Sequence, residues 1–364
     1  MTRLVVDLAA LRRNYRAICK ETGVTVIPML KADCYGLGAQ KVFEVLKQEG
    51  AQRFAVSRME EGLPLCNREA EILLLSAYHG EEDLKVIAES GMTAAVDSLA
   101  QARLLDKLAG ELGRTVTVHL KVDTGFGRFG FLPEEKADLK AVFALENLRV
   151  GGIFSHFSNA FGPEPDTKAQ YARFMTLCKE LQAEGFDLGL RHIANSCGAL
   201  RWDTYRLDAV RCGSALLGRL PVKVRIPLER IGALESTVAA LRELKKGSNM
   251  GYGNAFTLKK DTRVAVVCAG SAHGMLVKKE DDTFRPVDVL RYLRRDARLL
   301  LKDGRSKVLV NGQSTWVVGR VALTHTMVDV TNIACEPGDI VTLPANPIYV
   351  SQSVERVYLD ENHE

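Results

Sequence analysis

The sequence predicts an α/β fold, a (β/α)8 TIM-like barrel followed by a mainly β C-terminal domain. Short apolar runs alternate with segments of helical spacing over about two hundred residues, which indicates a parallel sheet of the size of a closed barrel. After Pro221 the pattern changes to short strand-like runs separated by Gly, Asn and Asp turns. We therefore expect a barrel over residues 1–230 and a mainly β domain over residues 231–364.

The elements of the barrel follow from hydrophobic periodicity. Buried strands are predicted at residues 26–30, 53–56, 72–75, 93–96, 116–122, 150–154, 190–194 and 208–211. Helices are predicted at residues 7–21, 39–49, 58–69, 81–89, 99–112, 134–144 and 167–184. Strands alternating with helices give the parallel arrangement that a barrel needs.

The second region contains shorter elements and one insert. Strands are predicted at residues 234–244, 263–268, 307–310, 315–323, 328–330 and 339–343. The charged insert at residues 275–307 contains apolar residues at helical spacing, and Pro286 can be the first residue of this helix. Its apolar residues at helical spacing are Val287, Leu290, Leu293, Ala297, Leu300 and Leu301. We expect an added surface helix there.

Composition indicates which kinds of molecule the protein is expected to bind. The chain has 364 residues, 46% of them hydrophobic and 26% charged, and a net charge of +4, which does not suggest nucleic acid or an anionic membrane. The eight cysteines are scattered without a Cys-x-x-Cys pair or metal-ligand spacing, so they are interpreted as reduced thiols and no metal is expected. No signal peptide and no apolar run of roughly 20 residues is found. We expect a cytoplasmic protein that acts on a small molecule.

Lys31 follows the first apolar run directly and is the leading candidate for chemistry. A lysine at the end of a buried strand loses hydration, which lowers its pKa and frees the neutral amine for Schiff-base formation with a carbonyl cofactor. The alternative is an ordinary strand-end lysine whose ammonium group reaches solvent. The remaining strand ends decide between these two interpretations.

Four other predicted strands also end in polar residues, and in a parallel barrel such ends meet on one face. These polar stretches are 121–128, 155–157, 192–196 and 211–214. Ser196, Gly213 and Ser214, with their backbone N–H groups, suit a phosphate. A reactive lysine together with a phosphate cradle implies pyridoxal 5'-phosphate (PLP).

Alternative interpretations of the single motifs exist. The stretch Gly125 to Gly130 fits the G-x-G-x-x-G pattern of dinucleotide-binding turns. Dinucleotide binding is disfavoured because Glu146 falls before the next strand and Arg128 would crowd the pyrophosphate turn. His156, His192 and Arg211, each taken alone, are also typical of structural positions.

With those residues in view, the chain resembles alanine racemases, the PLP-dependent enzymes that combine a barrel with a β domain. The matching stretches are MLKADCYGLGA, HLKVDTGFGRFGF, IFSHFSNA, HIANSCGAL, LDAVRCGSALLG, GSNMGYG, VLVNGQSTWVVGRV and the terminal ERVYL. The resemblance implies interconversion of L- and D-alanine. It also implies a homodimer in which the β domain of one chain completes the site of its partner.

The resemblance also assigns roles to individual residues. Lys31 would form the internal aldimine and act as the base on the D side. Arg211 would face the pyridine nitrogen with His156 beside it, and His192 and Asn195 would line the cofactor. The residues implied to bind phosphate are Tyr35, Ser196, Gly213, Ser214 and Tyr358.

Two further residues match positions that handle the substrate in the family. Arg128 corresponds to the arginine that holds the cofactor's phenolic oxygen and the substrate carboxylate. Lys121 matches a lysine that is often carbamylated to support that arginine. Both positions are therefore filled in this sequence.

One departure affects catalysis. The second base of the family is a tyrosine in a Gly-Tyr-Ala-Asp-Gly motif, and here Ser271 occupies that position with His273 two residues later. A serine hydroxyl is a far weaker acid than a phenol and reaches less far. Three interpretations stay open: a racemase whose second base is His273, His325 or Tyr252, a one-base PLP enzyme, or a protein that only binds PLP or an amino acid.

Overall fold

The chain forms two compact units. The computed structural model describes residues 1–66, 68–278, 285–301 and 305–360. The barrel unit comprises Leu8–Ile231 together with Asp360–Glu364, and the C-terminal unit comprises Met1–Asp7 together with Gly232–Leu359. The first strand, β1 (Arg3–Asp7), therefore belongs to the C-terminal unit although it opens the chain.

The barrel unit alternates strands with helices in the order that the sequence predicts. Its strands are β2 (Thr25–Pro28), β3 (Arg53–Val56), β4 (Glu71–Leu74), β5 (Thr93–Val96), β6 (Val116–Lys121), β7 (Leu148–Phe154), β8 (Leu190–Asn195) and β9 (Ala209–Cys212). Its helices are α1 (Leu8–Thr22), α2 (Ala39–Gln48), α3 (Met59–Gly62), α4 (Glu81–Ser90), α5 (Leu99–Glu111), α6 (Lys136–Val142), α7 (Glu164–Ala183) and α8 (Ser196–Arg201).

Parallel pairing closes this sheet into a nearly complete barrel, so the predicted fold class is confirmed. The strands pair in the order β2, β9, β8, β7, β6, β5, β4, β3. A single bridge between Met29 and Ala55 joins β2 to β3, where Leu30 N donates to Ala55 O at 2.8 Å. Ile27, Ala55 and Leu73 are almost completely buried in one apolar cluster, as the small packed interior of a barrel requires.

Two local predictions in the barrel unit are wrong. The helix predicted at residues 58–69 is only α3, followed by a 3₁₀ turn at Leu63–Leu65, because Pro64 lacks the N–H that a longer helix needs. The segment after Lys31, for which no helix is predicted, is a left-handed helical turn at Lys31–Gly36. Non-glycine residues rarely adopt that conformation, so hydrophobic periodicity cannot indicate it.

The C-terminal unit is mainly β, as predicted. Its later strands are β10 (Ala233–Leu244), β11 (Asn249–Met250), β12 (Phe256–Thr257), β13 (Thr262–Val267), β14 (Lys307–Val310), β15 (Gln313–Trp316), β16 (Thr326–Asp329), β17 (Ile340–Leu343) and β18 (Glu355–Leu359). The long strand β10 pairs with β1, β13 and β17, and β1 pairs in parallel with β18. The predicted strand at 315–323 is shorter because Val317 changes partner and bridges to Val328.

The insert of the C-terminal unit contains helix α9 (Pro286–Leu301), which begins at the proline. The apolar side chains of Val287, Leu290 and Leu293 on this helix are exposed. The rest of the predicted insert falls partly on residues 279–284 and 302–304, which lie outside the described residues. Within the described parts of the chain, every helix is too short or too polar to cross a membrane.

Candidate active site

The left-handed turn at Lys31–Gly36 places two predicted site residues next to each other. Ala32, Asp33, Cys34 and Tyr35 all have φ between 49° and 56°, a conformation that costs about 1–2 kcal/mol per residue for L-amino acids. The Nζ atom of Lys31 lies 5.7 Å from the centroid of the Tyr35 ring. The turn therefore brings the amine and the phenol to the same place at the end of β2.

Hydrogen bonds from outside the turn stabilise this conformation. Glu61, in α3, accepts from Ala32 N at 2.7 Å and also from Ser57 N and Arg58 N at 3.0 Å each. Within the turn, the Asp33 carboxylate accepts from Ala39 N at 2.7 Å, at the start of α2. Charged acceptors make stronger hydrogen bonds than neutral ones, so these two carboxylates offset part of the backbone cost.

A cavity of about 470 Å³ lies at the carboxyl ends of the barrel strands. Such a volume is within the range of small-ligand pockets. The predicted site residues that line it are Lys31, Tyr35, Lys121, Arg128, His156, Asn195, Ser196, Arg211, Gly213 and Ser214. Residues far apart in the sequence thus meet in one cavity, as expected for the carboxyl face of a parallel barrel.

The environment of Lys31 favours its neutral amine. Burial lowers the pKa of Lys31, and the nearby positive charge of Arg128 lowers it further, whereas Glu61 acts in the opposite direction. Both main effects destabilise the ammonium form. The structure therefore gives Lys31 the property that a Schiff-base lysine requires, rather than that of a solvated strand-end lysine.

Arg211 is a fully buried cation in the floor of the cavity. Its Nη2 atom donates to the carbonyl oxygen atoms of Ser155 at 2.7 Å and Ile193 at 3.2 Å, and lies 3.1 Å from Nδ1 of His156. Burial lowers the pKa of Arg211 to about 9, so the guanidinium stays charged at neutral pH. Its Nε atom is buried and has no hydrogen-bond partner among the described residues, which leaves one donor for a bound molecule.

Ser196, Gly213 and Tyr35 form a tight polar corner of the same cavity. The Ser196 hydroxyl accepts from Gly213 N at 3.0 Å and from Ala215 N at 3.3 Å. A Cβ atom at position 213 would lie 2.0 Å from the Tyr35 hydroxyl, so only glycine fits there. Asn195 caps α8 by accepting from Gly198 N at 3.1 Å, which fixes the loop that carries Ser196.

The loop that carries Arg128 is organised by Asp123, a residue for which the sequence predicts no role. The Asp123 carboxylate accepts from the N–H groups of Gly125, Phe126 and Gly127 at 2.8 Å each, and from Arg128 N at 3.2 Å. The guanidinium of Arg128 packs over the Phe126 ring at 4.5 Å. The G-x-G-x-x-G pattern is therefore part of a turn in which four backbone N–H groups surround one carboxylate, that of Asp123.

Lys121 lies under the same loop. Its Nζ atom donates to Leu75 O at 2.9 Å and lies 5.0 Å from the centroid of the Phe129 ring. Burial lowers the pKa of Lys121 to about 8, with smaller contributions from the charges of Arg128 and Arg211. A neutral fraction of this amine is therefore available near neutral pH, which carbamylation by carbon dioxide requires.

His192 does not line the cavity, but it contacts Arg211, which does. Its Nδ1 atom accepts a short hydrogen bond from Nη1 of Arg211, and its fully buried ring stacks on Phe154 with 5.0 Å between the ring centroids. Nε2 of His192 lies 2.9 Å from Nδ1 of His119, a buried residue to which the sequence also gave no role. The signal that could have indicated His119 is its polar side chain inside a buried strand.

The predicted residues Ser271, His273 and Tyr358 belong to the C-terminal unit. Ser271–His273 forms a 3₁₀ turn in which Nδ1 of His273 accepts from Gly270 N at 3.2 Å. A neighbouring loop meets this turn, since Ser271 N donates to Ala322 O at 3.0 Å. Tyr358 lies in β18, opposite Val6 of β1. Their roles stay predictions.

The chain is similar to alanine racemases over almost its full length. The family profile for the alanine racemase N-terminal domain matches residues 6–221, and the profile for the C-terminal domain matches residues 231–358. An alanine racemase of Methanococcus maripaludis is 30% identical, over 98% of this chain and 91% of that protein. One from Desulforamulus reducens is 33% identical, over 90% of this chain and 85% of that protein.

Solved structures give the same result. The alanine racemase of Clostridium difficile superimposes with a TM-score of 0.86 at 26% identity, covering 100% of this chain and 96% of that one. An alanine racemase of Bartonella henselae with covalently bound pyridoxal phosphate shares the fold, with a TM-score of 0.80 at 23% identity, covering 98% of this chain and 99% of that one.

A nearly closed parallel barrel joined to a mainly β unit, with a lysine at the end of the first barrel strand, is the architecture of the amino-acid racemases to which this chain is similar. The chain belongs to the alanine racemase family. The enzymes of this family are amino-acid racemases, and a racemase is therefore favoured over the one-base enzyme and the binding protein.

The Asp123 turn yields a prediction about stability and pH. Partial burial raises the pKa of Asp123, but the four backbone donors outweigh it and hold the pKa below its usual range. The stabilisation is therefore present above the pKa of the unfolded chain and is lost as the pH falls through the lower folded pKa. We expect Asp123→Asn to destabilise the protein by about 1 kcal/mol at neutral pH in urea unfolding.

The difference between Asp123→Asn and wild type should shrink as the pH falls from the ordinary aspartate pKa of about 3.9 toward the lower pKa of the folded carboxyl. Asp187→Asn serves as the matched control, because its carboxylate accepts one backbone N–H, that of Gly189, at 3.0 Å. A difference that stays constant with pH would show that the charge of Asp123 does not stabilise the turn.

Proposed function

We propose that the chain is a PLP-dependent alanine racemase whose chemistry takes place in the barrel cavity. The observation that carries the proposal is the pair formed by Lys31, with its lowered pKa, and Arg211, with its unpartnered buried Nε. A primary amine suits the aldehyde of PLP, and a fixed donor suits its pyridine nitrogen. When bound, PLP withdraws electrons from the amino acid and thereby acidifies the hydrogen on Cα.

Lys31 supplies the first base. Its amine, whose pKa is lowered by burial, can in its neutral form take a proton from Cα on the face of the substrate that it reaches. Arg211 limits how strongly the cofactor withdraws electrons, because a permanent cation beside the pyridine nitrogen disfavours protonation of that atom. Arg211 would thereby limit side reactions of the bound substrate.

In this proposal, Arg128 and Lys121 lie where the substrate binds. Arg128 would hold the substrate carboxylate and the phenolic oxygen of the cofactor, for which its planar fork of donors is suited. The neutral amine of Lys121 would add to carbon dioxide, forming a carbamate and releasing one proton. The product would be an anion, and it could attract the guanidinium of Arg128, whose charge already lowers the pKa of Lys121.

The second base differs from the tyrosine of the family, and Ser271 stands at its position. A serine hydroxyl is a poor replacement, whereas a histidine has a suitable intrinsic pKa near neutrality. His273 and His325 lie on two adjoining loops of the C-terminal unit, where Ala272 N donates to Leu323 O at 2.9 Å. Tyr252 is 74% exposed and is the third candidate.

Deuterium exchange at Cα tests this function. We expect the PLP-loaded protein in D₂O to introduce deuterium into both L-alanine and D-alanine, because a racemase removes the hydrogen from either face. Lys31→Ala should abolish exchange of both enantiomers. His273→Asn and His325→Asn should each be compared with wild type. The substitution that removes the second base should abolish exchange of one enantiomer only.

The alternatives give different outcomes in the same measurement. Exchange of a single enantiomer by the wild-type protein would instead indicate a one-base enzyme. Exchange of neither enantiomer would indicate a binding protein and contradict the proposal. Mass spectrometry of the recovered alanine, after separation of the enantiomers, provides the readout.

The proposal includes a homodimer in the cytoplasm, in which the C-terminal unit of one chain completes the site of its partner. Light scattering of the purified protein should give about twice the mass of one chain, which is 40.1 kDa. A monomer at all concentrations at which the protein is active would contradict the shared site.

A further inference from the structure

A chain of buried polar side chains leads from the cavity into the interior of the barrel. Nη1 of Arg211 donates to Nδ1 of His192, and Nε2 of His192 lies 2.9 Å from Nδ1 of His119. Nε2 of His119 lies 3.8 Å from the carboxylate of Glu71. Glu71 in turn accepts from Arg53 Nε at 2.8 Å and from Thr93 Oγ1 at 3.0 Å.

This polar chain crosses most of the barrel. Arg53, Glu71 and Thr93 are the first residues of β3, β4 and β5, so they mark the amino-terminal end of the barrel. Arg211 lines the cavity near the carboxyl end of the barrel. Barrel interiors are normally filled by layers of aliphatic side chains, so a polar chain at this place is not what stability alone favours.

The neighbouring strand leaves room for His119. A Cβ atom at Gly152, in β7, would lie 2.6 Å from Cε1 and 2.7 Å from Nδ1 of His119. Glycine weakens the interior of a strand and is typical of sites where another group approaches closely. The carbonyl oxygen of Leu190 would also lie 2.6 Å from that Cβ atom, so the glycine accommodates both the imidazole of His119 and the backbone of β8.

The charge of Arg211 fixes the direction of the hydrogen bonds along this row of polar side chains. A guanidinium can only donate, so Nδ1 of His192 must accept and its single proton lies on Nε2. That proton is donated to Nδ1 of His119, whose own proton then lies on Nε2, toward Glu71. Both imidazoles are neutral, since burial lowers the pKa of His119 to about 4 and holds the pKa of His192 well below its usual range.

We propose that His119, supported by Glu71, is a positioning residue that holds His192 in the tautomer which accepts from Arg211. Without the acceptor on His119, the Nε2 proton of His192 has no buried partner, and the opposite tautomer would direct an N–H group at the guanidinium. Arg211 would then lose one of the contacts that aim its free Nε. The part of this proposal that concerns the cofactor rests on the proposed function.

Nuclear magnetic resonance of ¹⁵N-histidine-labelled protein tests the tautomers without any cofactor. We expect wild type to show His192 and His119 as neutral rings protonated on Nε2, with resonances assigned by their loss in His192→Asn and His119→Asn. Protonation of His192 on Nδ1, or a positively charged His192 ring at neutral pH, would overturn the proposal. This result does not depend on whether the protein binds PLP.

Two substitutions of His119 separate positioning from simple packing. His119→Asn retains an acceptor near the position of Nδ1, whereas His119→Leu fills the space without an acceptor. We expect His119→Leu to shift the absorption spectrum of bound PLP and to lower kcat by about tenfold with KM for alanine nearly unchanged, as for other residues that orient a site residue. His119→Asn should recover most of both properties.

The control is His79→Asn, since the His79 side chain is 55% exposed and lies outside the cavity. It should match wild type in spectrum and kcat. Equal effects of His119→Asn and His119→Leu would show that only the volume of the ring matters and would overturn the positioning role. If wild type bound no PLP, the proposed function would fail, while the tautomer of His192 would still decide the inference.

Discussion

The pairing of β2 with β9 is the constraint on which the site depends. These strands are the first and last of the barrel, and their register places Ile27 opposite Arg211 and Pro28 opposite Cys212. The hydrogen bond from Met29 N to Cys212 O at 2.8 Å extends this pairing to the strand ends. Because of it, the turn with Lys31 lies beside the loop with Gly213, although the two are far apart in the sequence.

Around this pairing, the cavity concentrates positive charge. Lys31, Lys121, Arg128 and Arg211 all line it, and each lysine has a lowered pKa because burial and neighbouring cations disfavour its charged form. Lys121 and Arg211 are buried, and burying two cations close together is costly unless an anion such as a phosphate or a carboxylate binds beside them. In the proposed function, the same positive charge would attract an anionic cofactor, and it lowers the pKa of the amine that would react with the aldehyde of that cofactor.

Much of this could be predicted from the sequence, because strand periodicity identifies strand ends and the barrel brings them together. Lys31, Arg211 and Ser196 were predicted on that basis, and the structure places all three around one cavity. The left-handed turn after Lys31 was not predicted, because four successive non-glycine residues with positive φ contradict local preference. Glu61 and Asp123, which stabilise the loops, act through backbone contacts that no side-chain motif encodes.

The buried chain of His119 and Glu71 was also beyond prediction, since it depends on contacts between β4, β6 and β8. A histidine within an apolar strand has many possible partners, and only the closed barrel selects one of them. The placement of Ser271 and His273 relative to the cavity belongs to the assembly of two chains in our proposal, and the sequence of one chain does not encode it directly.

In our proposal, Lys31 is the lysine that binds the cofactor covalently. The direct measurement is to load the protein with PLP, reduce it with sodium borohydride, digest it and locate the added mass by tandem mass spectrometry. We expect the reduced cofactor to be attached to the amine of Lys31, and we expect Lys31→Ala to carry no label. Attachment to Lys121 or to a surface lysine, or no attachment at saturating PLP, would contradict it.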